Sequence, residues 1–135
     1  MYNSITPTLT RAVAKEKYLN DIESWKNFAE RITKNPFTKV FLVERDGKNC
    51  AWCQKALYGQ IIIHHITYDH CCTYSKKIRV ASPTETRPNK TRLVPDCQNC
   101  KKENTDIFLA CMNKLVLVHN ICNKKIAEES YLANS

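Results

Sequence analysis

Three closely spaced pairs of metal-binding side chains constrain this chain more than any other feature. Cys50-Ala51-Trp52-Cys53 and Cys97-Gln98-Asn99-Cys100 are CxxC turns, and His119-Asn120-Ile121-Cys122 repeats the spacing with an imidazole in place of one thiol. Two ligands separated by two residues can point at one tetrahedral ion, which is why structural zinc sites use this spacing. Eight cysteines in 135 residues imply either disulfides in an oxidising compartment or metal thiolates in a reducing one. The opening MYNSITPTLTRAVAKEKY has no apolar run ahead of its charges, so no secretory signal is expected. No segment approaches the roughly 18 consecutive apolar residues of a membrane span. Zinc is therefore the expected staple, in a cytoplasmic protein without membrane association.

The ligands divide in more than one way. One partition gives a first zinc to Cys50, Cys53, His119 and Cys122. A second zinc then takes Cys97, Cys100, Cys111 and either Cys72 or Cys71. The rival partition joins Cys50 and Cys53 to Cys97 and Cys100 as a zinc ribbon. In each, four protein ligands leave no open position, so the zinc is structural.

Periodicity organises the remainder. A first helix is expected from about Leu9 to Leu19. Ser24, Trp25, Phe28, Ala29 and Ile32 recur at helical spacing, and Asn20 with Glu23 fits a capping box that would start their helix. Asn35-Pro36 breaks the pattern, and the apolar stretch Phe37–Val43 runs to a turn at Asp46-Gly47. Residues 60–66 read as a buried strand and 67–100 as loop. Residues 104–113 read as a short helix, Leu115–Val118 as a strand, and His119 to about Tyr131 as a final helix. This describes an α+β chain with an N-terminal helical arm, 1–36, and a second unit, 37–135, carrying a long insertion over 67–112.

That insertion holds most of the charge. The chain carries a net +8, and Lys76–Lys102 contributes +6 of it through eight cations against Glu85 and Asp96. A basic surface of this density attracts polyanions, nucleic acid above all. Lys76, Lys77, Arg79, Arg87, Lys90 and Arg92 are the candidate contacts, joined by Lys124 and Lys125 on the final helix. Trp52 and Tyr68 could stack on bases, or pack beside the knuckle.

His64-His65 closes the apolar strand Ile61–Ile66. Neighbours on a strand point to opposite faces, so one histidine can bind a metal while the other addresses a different group. Taken with these residues, KVFLVERDGKNCAWC at Lys39–Cys53, IIIHHI at Ile61–Ile66 and LVLVHNICNKK at Leu115–Lys125 resemble the HNH (ββα-metal) endonuclease family. The likeness covers most of residues 39–130.

The resemblance implies a zinc-stapled ββα-metal core that hydrolyses phosphodiester bonds. It makes His64 a ligand of a catalytic Mg²⁺ or Mn²⁺, His65 the general base, and Asn123 the second ligand of that ion. The family's middle asparagine, which braces the loop holding the base, falls nearest to Asn113, one residue farther from the second strand than the usual spacing. Asp69 and His70 lie close by and could assist the metal or form a solvated turn. The expected partner is double-stranded DNA, in a restriction, phage or mobile-element setting. A homodimer would let two identical sites cut both strands of a symmetric sequence. The alternatives are a zinc-dependent nucleic-acid-binding module without activity and a protein-interaction zinc domain.

Overall fold

In a computed structural model, which describes residues 10–133 and side chains as far as Ile126, the chain is a mixed α+β protein with two small antiparallel sheets. Thr10 starts helix α1 (Arg11–Lys17) by accepting the Val13 N–H at its hydroxyl. Leu9, where the sequence places the start, lies outside the described residues. A 3₁₀ turn at Leu19–Asp21 leads into α2 (Ile22–Lys26), which runs on through a π turn (Asn27–Arg31) and a 3₁₀ turn (Ile32–Lys34). The expected Asn20/Glu23 capping box does not form. Asn20 is itself inside the 3₁₀ turn, so it cannot take the extended conformation of a cap. Glu23 instead accepts from Arg31 Nη1 at 2.9 Å.

Trp25, Phe28 and Ile32 are wholly buried. Phe28 and Ile32 share one core with Leu42, Met112, Leu115 and Leu117. The N-terminal helices are thus built into the body of the protein rather than extended as an arm.

Helix α3 (Pro36–Asp46) contains the apolar stretch Phe37–Val43. Asn35 caps it by accepting the Phe37 N–H at 3.0 Å, and Pro36 occupies the first turn, where its missing N–H costs nothing. Gly47 closes the helix at φ 77°. Arg45 reaches back from the last turn and donates to the carbonyls of Met112 (2.8 Å) and Leu115 (2.7 Å).

Strand β1 (Ile61–His65) pairs antiparallel with β4 (Leu115–His119), with Ile61 opposite His119 and His65 opposite Leu115. Helix α6 (Asn120–Ala133) follows β4 without a linker. His119 ends the strand rather than opening the helix, because it pairs with Ile61.

The stretch 67–100, expected to be loop, contains a hairpin, β2 (Lys77–Ala81) with β3 (Thr91–Pro95), and the start of α4 (Cys97–Glu103), while α5 (Thr105–Met112) falls on the short helix expected over 104–113. Each hairpin strand is five residues long and keeps few apolar residues on its inner face, among them Ile78, Val80 and Val94. That is too short an alternation to stand out among lysines and arginines. Among the described residues no helix is long and apolar enough to cross a membrane.

Candidate metal centre and active-site cleft

The first CxxC turn is held against the sheet. Gln54 N–H returns to the Cys50 carbonyl at 2.9 Å, and Ala51 N–H bonds the Leu117 carbonyl of β4 at 2.9 Å. His119 ends β4 and Cys122 sits in the first turn of α6. One potential ligand atom from each of Cys50, Cys53, His119 and Cys122 lies within 4.8 Å of all the others, close enough to hold a metal ion such as zinc.

The donor chemistry fits. His119 Nε2 is 2.9 Å from the Ala56 carbonyl, which can only accept, so Nε2 carries the proton. Nδ1 is then the lone-pair nitrogen, 3.4 Å from Cys53 Sγ and 3.7 Å from Cys122 Sγ. A ring oriented by a carbonyl on its far nitrogen is the usual support of a metal-binding histidine. Burial pushes the Cys50 thiol up, but the N–H groups of Cys53, His119 and Trp52 outweigh it and bring the value down to about 7. Burial and the neighbouring Cys50 and Cys53 push Cys122 up to about 12. Trp52 packs beside this cluster with Val118 and Ile126.

On another face, His64, His65 and Asn123 line a common cleft of about 370 Å³ with Arg11, Glu30, Tyr68 and Arg92. Both histidines are buried and Asn123 is half-buried. His65 is held on several sides. Its Nε2 lies 3.0 Å from the Phe28 carbonyl, the Tyr68 ring stacks on it at 4.5 Å, and the Phe28 ring meets it edge-on at 4.9 Å. The carbonyl requires the proton on Nε2 and leaves Nδ1 as an acceptor. Burial lowers the His65 pKa to about 4, against the Phe28 carbonyl, with His64 and Arg11 adding to the decrease. The ring is therefore neutral at physiological pH. Arg11 pairs with Glu30 at 2.8 Å.

Other expected site residues lie elsewhere. Asn113 caps the end of α5 and lines a separate depression with Arg45, Asn49 and Ile66; the contact to His65 comes from Phe28 instead. The hairpin divides the basic residues by strand alternation. Arg92, opposite Val80, lines the cleft, while Lys77 and Arg79 are exposed on the other face. Lys76 pairs with Glu103 at 2.7 Å. Arg87 and Lys90 lie in the hairpin loop, and Lys124 and Lys125 are exposed on α6.

Asp69 lies in a partly exposed turn, where its N–H bonds the Thr67 hydroxyl at 3.1 Å. Asp69 accepts from Lys17 Nζ (2.7 Å) and Tyr18 OH (2.6 Å), and His70 Nε2 lies 3.3 Å from Cys111 Sγ. Arg11, Glu30 and the Phe28 carbonyl escaped the sequence reading, because nothing local marks a main-chain oxygen or a helix-face arginine as facing a distant strand.

The ribbon pairing of Cys50 and Cys53 with Cys97 and Cys100 is not formed, since His119 and Cys122 occupy that place. No family model, curated protein or solved structure matches this chain.

Proposed function

We propose that this protein is a metal-dependent DNA endonuclease of the HNH class, with Cys50, Cys53, His119 and Cys122 holding a structural zinc. The observation that carries the reading is the shared cleft. His64 and His65 from β1 line it together with Asn123 from α6, Arg11 and Arg92. The order of two antiparallel strands and a helix, with a Cys/His cluster at the strand–helix junction, accords with a ββα-metal core.

His64 and Asn123 would hold a divalent ion, and a nitrogen-plus-amide donor set suits Mn²⁺ as well as Mg²⁺. Such an ion, when bound, supplies Lewis acidity at the scissile phosphate and the departing alkoxide. The chain's own groups do the rest. His65 Nδ1 takes a proton from the attacking water, and the Phe28 carbonyl holds the ring in the tautomer that allows it. Arg11 and Arg92 bind phosphate oxygens and set the register of the backbone in the cleft.

One observation favours the second reading, a zinc-stabilised DNA-binding module. His65 is buried, which disfavours its protonated form, and such a ring is a weaker proton acceptor than a base poised near neutrality. Supercoiled plasmid incubated with the protein and Mg²⁺ or Mn²⁺ decides between them. Nicking or linearisation is expected from the parent and not from folded His65→Ala or Asn123→Ala. Equal retardation by all three without cleavage in any metal would overturn the nuclease reading.

A further inference from the structure

The four cysteines outside the first centre and away from Cys71 come from distant parts of the chain. Cys72 precedes β2, Cys97 and Cys100 lie one turn apart on α4, and Cys111 is on α5. All four are 3–4% exposed, and all line one small enclosed cavity, closed on other sides by Ile32 and Phe108. Cys71, adjacent to Cys72 in sequence, turns the other way and packs beside Trp25. We propose that Cys72, Cys97, Cys100 and Cys111 hold a second structural zinc, which clamps the base of the β2–β3 hairpin and so carries Arg92 over the cleft.

The geometry of the set supports it. Cys97 and Cys100 share a helix face, so both sulfurs can reach one ion. Cys72 and Cys111 face the same cavity as that pair. Outer partners are already in place: His70 Nε2 at 3.3 Å from Cys111 Sγ and the Thr38 hydroxyl at 3.9 Å from Cys97 Sγ. Such groups orient and support thiolates in metal sites. The set is wider than the first centre, whose ligand atoms all lie within 4.8 Å of one another. Zinc–sulfur bonds of about 2.3 Å place tetrahedral sulfurs about 3.8 Å apart, so binding requires these side chains to turn into the enclosed space they line. Binding releases the four thiol protons to solvent.

The position of the site gives it a task. Cys97 follows β3 by two residues and Cys72 precedes β2 by five, beyond the end of the ladder where Asp96 N–H bonds the Lys76 carbonyl at 3.0 Å. An ion joining them to Cys111 fixes the hairpin to α5, and α5 leads directly into β4. Isolated two-stranded hairpins are marginal in water; this one already packs through buried Val94 and the Asn35 Nδ2 bond to the Pro95 carbonyl at 3.0 Å, and the ion adds a second anchor at its base. The metal claim holds whether or not the chain cleaves DNA; only the Arg92 consequence depends on the proposed function.

Elemental analysis of the full-length protein should give about two zinc ions per chain. X-ray absorption at the zinc edge should give about 3.5 sulfurs and about 0.5 imidazole nitrogens per ion, the mean of one three-sulfur site and one four-sulfur site. Cys97→Ser/Cys100→Ser should retain about one zinc, and should bind plasmid as weakly as Arg92→Ala. If that variant does not fold, the parent still decides. No zinc, or one zinc with three sulfurs and one nitrogen, overturns the proposal. One zinc with four sulfurs and no nitrogen upholds this site and removes the first centre instead.

Discussion

Arg45→Met tests how the end of α3 is tied to the strand that carries His119. Methionine keeps an apolar stem of similar length, so packing is retained while the donors are lost. The arginine makes charge-assisted hydrogen bonds to the Met112 and Leu115 carbonyls at 2.8 and 2.7 Å. Bonds from a charged donor contribute roughly 1.5–3 kcal/mol each. The Arg45 side chain is 27% exposed, so water can replace part of the lost bonding, and the expected cost is about 2–3 kcal/mol. The Asp46 pair, also partly exposed at 35%, adds no more than about 1 kcal/mol. With a urea m-value of about 1–3 kcal/mol/M, the unfolding midpoint should fall by about 0.7–3 M, while Asp46→Asn moves it by no more than about half as much. A midpoint for Arg45→Met within about 0.3 M of the parent would show that the two carbonyls do not depend on this side chain.

Two further outcomes follow from the same contacts. Arg92 faces the cleft and Arg79 the opposite side of the hairpin, so Arg92→Ala should weaken plasmid binding by about tenfold, with a salt slope lower by about one. Arg79→Ala should lose much less, and equal losses in a low-salt retardation assay would count against the assigned face. The Tyr18 phenol, hydrogen-bonded to the Asp69 carboxylate and partly desolvated, is raised to about 12. Tyr74 is likewise raised to about 12, by burial and then by its bond to Glu103. A group whose folded pKa lies above its unfolded value contributes fully below the unfolded value, about 10, and loses its contribution as pH rises through the folded one. Alkaline titration followed by phenolate absorbance should leave both protonated at pH 11 in the folded protein, with stability falling between about pH 10 and 12. A single common midpoint near 10 in a folded sample would contradict it.

Much of the Cys50/Cys53/His119/Cys122 cluster is legible in the sequence, because a CxxC or HxxC pair is a local geometry that needs only a turn. Strand β1, strand β4 and the final helix are legible for a similar reason: their apolar runs are continuous and bounded. The hairpin is not, since its inner face offers little apolar alternation and its charges dominate. The capping box at Asn20/Glu23 illustrates the opposite error. The residue types fit, but a 3₁₀ turn absorbed Asn20 into the helical run.

By itself the sequence determined the ligand types, their paired spacing, the alternation of elements and the excess of positive charge, all properties of neighbouring residues. Tertiary structure decided which pairs meet. The β1–β4 register and the Ala51–Leu117 hydrogen bond bring Cys50 and Cys53 to His119 and Cys122. Folding also turned Cys72 rather than Cys71 toward the second cysteine set. It placed Phe28, 37 residues away in the chain, against His65. It chose Arg92 from among the hairpin's basic residues to face the cleft that Arg11 also lines. The physical reason is common to all four: each contact joins segments far apart in sequence through packing of the whole core, and no local pattern of residue types records which distant partner will be there.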